Sequence, residues 1–271
     1  MNLPENVQFE ILLNTPYRDI INLCKTSKSF DKICQKPYLW ARKAELDFGI
    51  IPQDLQHIPG DTNKDKYIWI MKADPEVGLD QASSIGSLPL VKYFLDKGAK
   101  DYNQAMAYAA EGGHLDIIKM MLDLGATDYD RAMASAARGG HLDIVKMMLD
   151  LGATDYDLAM PEAAGGGHLG IVKMMIDLGA EDYNSGMIEA AGNGHLNVVK
   201  FLLEKSKQEG KSYDINEIIH IAASLGQAEI VKFLLENETP DIDYDEIIEV
   251  ALKDKQYKIV ALVADYVANN V

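Results

Sequence analysis

The sequence predicts an all-α fold in which a stack of short helical repeats follows a separate amino-terminal helical segment. The strongest observation is a phrase that recurs every 27 residues and carries a histidine at one fixed place. These histidines are His114, His141, His168 and His195. The chain has 271 residues, of which 48% are hydrophobic, and this is enough to bury a core. A change in charge after residue 43 indicates two segments of different character.

The charge of the chain disfavours two classes of partner. With 42 acidic and 26 basic residues the net charge is −16, which repels phosphate backbones and anionic lipid headgroups. We therefore expect neither nucleic acid nor a membrane as a partner. Residues 1–43 hold seven basic and four acidic residues, so the negative charge lies in the remainder. No basic stretch with a following apolar run and no long apolar run occurs, so a soluble, intracellular protein is expected.

Seven repeats can be counted over residues 74–271. Repeats two to seven each begin at an aspartate, and these residues are Asp101, Asp128, Asp155, Asp182, Asp214 and Asp243. The spacing between Asp182 and Asp214 is five residues longer than the usual 27, so we expect an insertion around residues 205–212 to bulge at the surface. One such unit cannot bury its apolar face alone, so neighbouring repeats must stack into a continuous core.

Each repeat has the pattern of a helix, a turn, a second helix and a loop. The residue two positions after each start is Asn or Asp, and we expect it to cap the first helix. These expected caps are Asn103, Asp130, Asp157, Asn184, Asn216 and Asp245. Paired alanines then let neighbouring helices approach closely, and glycines form the turn. Apolar residues recur at helical spacing beyond the turn, which predicts an amphipathic second helix.

The repeat phrase is clearest in AARGGHLDIVKMMLDLGA, at residues 136–153. It resembles the ankyrin repeat, and the resemblance covers residues 74–271. Ankyrin repeats are about 33 residues long. They usually open with a Gly-x-Thr-Pro-Leu-His turn, which is shortened here to DYDRAM or DYNQAM. The resemblance implies an ankyrin-type helical repeat solenoid with short 27-residue repeats, in which the projecting β-hairpins are reduced or absent.

Residues 1–43 contain three short helical patterns and form a unit too small to be stable alone. They resemble an F-box, and the residues that carry the likeness are Leu3-Pro4, Ile11-Leu12 and the closing run Pro37-Tyr38-Leu39-Trp40. The resemblance implies docking on a Skp-type adaptor of a cullin ubiquitin ligase. The residues implied on or near the adaptor surface are Leu3, Pro4, Ile11, Leu12 and Leu39, with Trp40 anchoring the end of the segment.

An F-box-like segment followed by short acidic repeats resembles the F-box/ankyrin families of giant DNA viruses of amoebae. That resemblance implies a target protein of the host and a place in the host cytoplasm. Residues 44–73 form the junction between the two parts, with a predicted helix around Tyr67, Ile68 and Trp69. Because this stretch is rich in aromatic and aliphatic residues, we expect a packed junction that makes the tether between adaptor and target rigid.

Several recurring side chains have a structural explanation that we prefer to a metal-binding one. The histidines belong to different repeats about 10 Å apart, whereas zinc needs nitrogen ligands within about 2.1 Å, so we expect neither a metal nor another cofactor. The repeated tyrosines are expected to form a packed ladder and the methionines to fill the core. Cys24 and Cys34, with nine residues between them, are interpreted as reduced core thiols.

Positions that vary while the scaffold repeats are the candidates for partner binding. On the first helices and at their ends these are Tyr108, Glu111, Ser135, Arg138, Glu162 and Glu189. We expect them to line the concave face of the repeats. Their net negative character favours a protein partner with a basic or polar surface.

The sequence contains no P-loop, no dinucleotide-binding glycine pattern, no GxSxG elbow and no HExxH, so we predict no catalytic residues. The leading hypothesis is a substrate receptor of a cullin ubiquitin ligase, in which the repeats bind the target and the F-box-like segment binds the adaptor. The alternative is an ankyrin-repeat scaffold whose amino-terminal helices only cap the first repeat. An enzyme built on helical repeats is a third class, which no constellation of residues supports.

Overall fold

The computed structural model describes residues 3–237 and 242–270. Within these residues the protein has twenty α-helices and no β-strand, which confirms the all-α repeat fold and the absence of hairpins. The chain divides into two compact units, Met1–Ala126 and Thr127–Val271. The first unit combines the amino-terminal segment, the junction and two repeats, and the second holds the other five repeats.

In the first unit, six helices precede the repeats. They are α1 (Glu5–Leu13), α2 (Tyr17–Thr26), α3 (Lys28–Cys34), α4 (Pro37–Phe48), α5 (Pro52–Leu55) and α6 (Asn63–Lys72). The first two repeats are the pairs α7 (Pro75–Ser84) with α8 (Leu88–Asp96) and α9 (Tyr102–Glu111) with α10 (Leu115–Asp123). Helix α4 is continuous across the expected boundary at residue 43, so the amino-terminal segment runs into the junction without a break.

In the second unit, the five remaining repeats are again helix pairs. They are α11 (Tyr129–Gly139) with α12 (Leu142–Leu151), α13 (Tyr156–Gly165) with α14 (Leu169–Leu178), α15 (Tyr183–Gly192) with α16 (Leu196–Glu209), α17 (Ile215–Ser224) with α18 (Ala228–Asn237), and α19 (Tyr244–Lys253) with α20 (Tyr257–Asn270). None of the helices in residues 3–237 and 242–270 has the length and apolar composition needed to cross a membrane.

The first helix of each repeat from the second onward is capped by the aspartate that begins the repeat. Asp155, for example, precedes α13 with a non-helical backbone, and its Oδ1 accepts a hydrogen bond from the N–H of Leu158 at 2.9 Å. The other aspartates that act in this way are Asp101, Asp128, Asp182, Asp214 and Asp243. The caps expected two residues later were wrong, because those positions already lie inside the helices. The residues concerned are Asn103, Asp130, Asp157, Asn184, Asn216 and Asp245.

In the second unit, the Asn or Asp two residues after the cap holds the loop of the next repeat. Asp130 Oδ1 accepts from the N–H groups of Thr154 and Asp155 at 2.6 and 2.8 Å. The same link joins Asp157 to Glu181 and Asp182, Asn184 to Asp214, and Asn216 to Asp243. These bonds satisfy loop amides that no helix pairs, so they fix the spacing of neighbouring repeats.

The recurring histidines also link neighbouring repeats, which is the structural role expected of them. His168 Nε2 lies 3.0 Å from the carbonyl oxygen of Arg138 in the preceding repeat. Its ring packs against Gly140, where a Cβ atom would come within 2.4 Å of the ring. Within the first unit, His114 makes the same contact with the carbonyl oxygen of Ser84, at 3.1 Å.

The five-residue insertion lengthens a helix instead of bulging, so that expectation was wrong. Helix α16 has 14 residues, and it ends at Gly210 in the left-handed conformation. Ser206 is buried in the added turn, and its Oγ donates to the carbonyl oxygen of Lys211 at 2.9 Å. The extra turn packs on one side and is hydrogen-bonded at its end. Its free energy as a helix is therefore lower than that of a surface loop with unpaired backbone groups.

Methionine and alanine fill the core of the repeats, as expected. In the second unit Met133 and Met160 on first helices, and Met148 and Met175 on second helices, are fully buried. The paired alanines of the first helices are buried as well, which leaves room for adjacent helices to pack closely. Of the repeated tyrosines, Tyr183 is buried and the others are half-buried, so the ladder is only partly packed.

Cys24 and Cys34 form a disulfide, so their interpretation as reduced thiols was wrong. Their Cα atoms are 6.0 Å apart, and the bond joins α2 to α3. On a single helix, two residues ten positions apart could not meet. The chain instead turns at Ser27, whose backbone is extended, and this brings the end of α3 back to α2.

Candidate protein-interaction surfaces

Helix α1 presents three aliphatic side chains to solvent. Leu3, just before the helix, is 47% exposed, and Val7 and Ile11 are 38% and 37% exposed. Since an α-helix turns once every 3.6 residues, Val7 and Ile11, four positions apart, lie on one face of α1, and Leu3 comes just before that helix. These three exposed residues are called here the apolar stripe.

The structure divides the residues expected at the adaptor surface into two groups. Leu3, Pro4 and Ile11 are exposed. Leu12 and Leu39 are fully buried, because they lie on the sides of α1 and α4 that face the core. They support the surface and cannot contact a partner while the unit stays folded. Trp40 is also buried, and its Nε1 donates to the carbonyl oxygen of Cys34 at 2.8 Å, which fits the anchoring role expected of it.

Val7 belongs to this surface and Tyr38 is exposed on α4, and neither was among the residues expected from the sequence. Val7 could have been found from its spacing of four residues from both Leu3 and Ile11. Tyr38 is half exposed, and its ring centroid lies 5.1 Å from that of Phe9. Its exposure depends on where α4 begins, which the F-box pattern alone does not define.

A groove rich in lysine lies beside the apolar stripe. Lys28, Lys32 and Lys36 line it together with Leu3 and Gln8. Lys36 pairs with Glu5, whereas no ion pair of the described residues involves Lys28 or Lys32. In a chain with a net charge of −16 this is a local concentration of positive charge. The surface therefore suits a partner that offers apolar side chains next to carboxylates.

Gln8 leaves one hydrogen-bond acceptor unused at the edge of this groove. Gln8 is only 6% exposed. Its side-chain Nε2 donates to the carbonyl oxygen of Leu3, and its Oε1 has no hydrogen-bond partner. A buried amide oxygen without a donor is costly. A partner that brought an N–H group to this oxygen would remove that cost.

A polar cluster around the buried Lys43 joins α1 to α4 and the junction. Lys43 Nζ donates to the carbonyl oxygen of Leu13 at 2.9 Å and pairs with Asp47 at 2.8 Å. The hydroxyl of Tyr67, on α6, donates to the same carboxylate. Burial, together with this hydrogen bond, raises the pKa of Tyr67 far above its ordinary value, so the hydroxyl keeps its proton. Lys43 and Asp47 therefore join α1, α4 and α6.

Aromatic contacts extend this connection to the first repeat. The ring of Phe48, at the end of α4, lies 5.2 Å from Tyr67 and 4.9 Å from Tyr93 of α8. Tyr93 in turn packs edge-on against Phe94, which is fully buried. Because these rings are in direct contact, the surface of α1 and the first two repeats belong to one packed body within the first unit.

The residues expected on the concave face occupy equivalent places on the first helices. In the first unit Tyr108 is half-buried and Glu111 is exposed, both on α9. In the second unit Ser135, Arg138, Glu162 and Glu189 are half-buried on α11, α13 and α15. Arg138 pairs with Glu162, so part of the expected negative charge is neutralised inside the protein. Glu189 adds a carboxylate in the following repeat.

Apolar residues accompany these polar ones in the second unit, and sequence reasoning missed them. Ile221 occupies in the sixth repeat the place that Glu162 and Glu189 occupy in repeats four and five. Ile221 and Leu225 both cover Gly192, where a Cβ atom would lie 3.1 and 3.3 Å from their side chains. Leu225 is nevertheless 58% exposed. The sequence could have shown this, because the position held by Glu162 and Glu189 in two repeats is held by the aliphatic Ile221 in the next.

Two families of known proteins match the chain. The family model described as ankyrin repeats (3 copies) matches residues 79–160, 160–247 and 187–270. The model described as F-box domain matches residues 1–42. A search of curated proteins found no match to the sequence.

Proposed function

The chain belongs to the ankyrin-repeat family and also carries an F-box, and from this premise we propose that it is a substrate receptor of a cullin ubiquitin ligase. In this proposal the F-box docks on a Skp-type adaptor and the repeats hold a target protein. Both families typically serve as interaction domains, and the chain is a protein-interaction module.

The observation that carries the proposal is the apolar stripe on α1. Val7 and Ile11 on α1, and Leu3 just before it, are exposed, whereas the other side of the helix, with Leu12 and Leu13, is buried. Burying aliphatic side chains of this kind in an interface favours association, by roughly 25 cal/mol for each Å² removed from water. The lysines beside the stripe add a charged rim that aids orientation and on-rate.

The alternative is that the amino-terminal helices only cover the apolar end of the first repeat. That role is served by Phe48 of α4 and by α6, which contact Tyr93 and Phe94 of α8. A cap does not require an exposed stripe on α1. The position of the stripe, away from these contacts, therefore favours adaptor docking over capping alone.

The target side of the proposal rests on the first helices of the repeats. Half-buried carboxylates, together with Ile221 and Leu225, suit a protein surface that offers basic and aliphatic side chains. The resemblance to viral F-box/ankyrin proteins makes a host protein in the host cytoplasm the expected target. Its modification with ubiquitin would follow from the ligase that the adaptor recruits.

The test is calorimetric titration of the purified chain with a recombinant Skp-type adaptor. The double variant Val7→Glu/Ile11→Glu places two charges on the stripe, and we expect its Kd to rise by at least about tenfold, which is 1.4 kcal/mol. Leu46→Glu is the matched control, because Leu46 is 51% exposed on α4 outside the stripe.

Circular dichroism must show that all three proteins remain folded. Loss of binding in the double variant, with unchanged binding in the control, supports the receptor. Absence of adaptor binding by the folded wild-type chain leaves the capping role as the better explanation of the F-box helices.

A further inference from the structure

A groove in the first unit combines an apolar floor with charged edges. Ile68 and Trp69 of α6 and Val77 of α7 form the floor, and Asp65, Lys72 and Asp74 stand at the edges. We call it the Trp69 groove. It lies where the junction meets the first repeat, outside the apolar stripe and outside the six residues that the sequence singled out for target binding.

Trp69 is held in place before any partner binds. Its ring packs edge-on against Phe94, with the centroids 6.4 Å apart. Phe94 can occupy that position because Gly78 has no side chain, and a Cβ atom there would lie 2.2 Å from the Phe94 ring. A side chain that is already ordered loses little conformational freedom on binding, so the groove is preorganised.

The floor of the groove is unusually accessible for apolar residues. Val77 is 56% exposed, and Ile68 and Trp69 are half-buried. Trp40, the other tryptophan, is 1% exposed. Tryptophan is enriched among the residues that dominate binding energy at protein interfaces, especially where it lines a pocket beside other apolar groups.

Val77 places the groove on the face of the repeats that carries the variable residues. It stands three residues after the capping Asp74, and Gln104 stands three residues after the capping Asp101 in the next repeat. Gln104 and Tyr108 are four residues apart on α9, so they lie on the same face of that helix. Both repeats belong to the first unit. A segment bound in the groove could therefore continue along the first helices towards Tyr108.

The charges at the edge favour a basic segment. Asp65 accepts from the backbone and the hydroxyl of Thr62, and Asp74 accepts from the N–H of Glu76, so both carboxylates are fixed in position. With Lys72 they give the edge a net negative charge, in a chain whose total is −16. An acidic segment would be repelled, whereas lysine or arginine would be attracted.

We propose that the Trp69 groove binds a short segment of a target protein in which a leucine or phenylalanine is flanked by lysine or arginine. The apolar side chain rests on Trp69 and Val77, and the flanking cations meet Asp65 and Asp74. Target recognition then begins on the junction and not on the repeats alone. The inference adds a binding site to the proposed receptor, but it does not depend on adaptor binding.

Trp69 is itself the reporter for the test. Short synthetic peptides with a central leucine or phenylalanine flanked by lysines are titrated into the full chain while tryptophan emission and acrylamide quenching are followed. We expect a blue shift and reduced quenching, because the peptide shields Trp69 while Trp40 is already buried. Peptides with a central alanine, or with glutamates as flanks, should cause neither change.

Two variants separate the groove from the rest of the molecule. Val77→Arg should weaken the lysine-flanked peptides by at least tenfold, since it places a cation on the floor. Leu46→Arg changes an equally exposed aliphatic residue elsewhere in the unit and should bind as wild type. Calorimetry with the adaptor should give the same affinity for Val77→Arg as for wild type, so a failure of adaptor binding is detected separately.

Several outcomes would overturn the inference. They are the absence of any shift with the lysine-flanked peptides, equal binding of glutamate-flanked peptides, and unchanged affinity in Val77→Arg. A shift that grows with protein concentration and without peptide would show that a second copy of the chain occupies the groove instead.

Discussion

The repeats of the second unit and the helices before the first repeat hold together by different means. In the repeats, the same links recur at fixed positions, such as the one from Asp130 to the next loop and the one from His168 to the preceding repeat. In the amino-terminal part, the ion pair between the buried Lys43 and Asp47 and the disulfide each occur once. A repeated link can be lost in one copy and kept in the others, whereas a single link has no substitute.

This difference decides which binding surface tolerates mutation. Each repeat contacts only its neighbours, so residues on the first helices can vary while the links are kept. The amino-terminal helices have few links, and the apolar stripe depends on all of them for its position. Mutations should therefore have larger structural effects in the amino-terminal part than at equivalent depth in the repeats.

The largest effect is expected from Lys43→Met. The change removes the buried ammonium of Lys43, so the carbonyl oxygen of Leu13 loses its donor and the more exposed carboxylate of Asp47 loses its ion pair. We expect a loss of about 2 kcal/mol in the free energy of unfolding of the first unit, because a buried carbonyl oxygen is left without a donor. Both tryptophans lie in that unit, so urea unfolding followed by tryptophan fluorescence measures it directly.

The control for this prediction is Lys119→Met, because Lys119 is an exposed lysine on α10 of the same unit. Its effect should stay within about 0.5 kcal/mol. Similar effects for the two lysines would contradict the view that the amino-terminal part depends on single links.

An intermediate effect is expected from Gly140→Ala in the repeats. Gly140 has φ of +78°, and an added Cβ would come within 2.4 Å of the His168 ring. Gly152→Ala is the matched variant, since Gly152 has φ of +108° but no atom within 4 Å of an added Cβ. Gly152→Ala should cost roughly 1 kcal/mol from backbone strain alone, and Gly140→Ala more.

Thermal unfolding by circular dichroism compares the two variants. A lower unfolding midpoint for Gly140→Ala than for Gly152→Ala would show that the His168 ring needs the space beside Gly140, in addition to the positive φ that both glycines adopt. Equal midpoints would mean that the histidine ring moves aside without loss, and that the link to the preceding repeat contributes little.

The smallest effect is expected at Glu209, in the added turn of α16. Its carboxylate is held by Lys205 at 2.7 Å and by the hydroxyl of Tyr183 at 2.6 Å. The hydrogen bond from Lys205, followed by that from Tyr183, lowers the pKa of Glu209 below its ordinary value. Folding therefore favours the ionised form of Glu209. Its contribution to the free energy of unfolding is fully present above the ordinary pKa of about 4.3, and it is lost as the pH falls through the lowered pKa.

Glu209→Gln should accordingly reduce stability slightly at neutral pH, and the difference from wild type should vanish in acid. Chemical unfolding of both proteins at neutral pH and below pH of about 4 measures this. A difference that persists in acid would show that hydrogen bonding by the side chain matters more than its charge.

The repeats could be predicted well from the sequence because the same residue pattern occurs seven times in the chain. The helix pairs, the buried methionines and the structural use of the histidines followed from spacing alone. The cap position did not, because Asp155 and Asp157 are both suitable side chains and only the backbone shows which one precedes the helix.

The amino-terminal part was harder to predict because each of its contacts occurs once. Apolar spacing predicted its helices and the F-box resemblance implied the exposed Leu3, Pro4 and Ile11, but neither showed that Leu12 and Leu39 face the core. The disulfide was missed because the spacing of the two cysteines matches no disulfide framework, and spacing alone does not show that α3 folds back onto α2. The Trp69 groove needs residues from a junction that no motif describes.

The most direct test of the account is assembly of the full chain with a Skp-type adaptor and a cullin. Size-exclusion chromatography with light scattering would follow the mixture, with Val7→Glu/Ile11→Glu as the comparison. The account predicts that the wild-type chain elutes in one complex with both proteins, and that the variant elutes apart from them. A folded wild-type chain that elutes alone, while adaptor and cullin elute together, would contradict it.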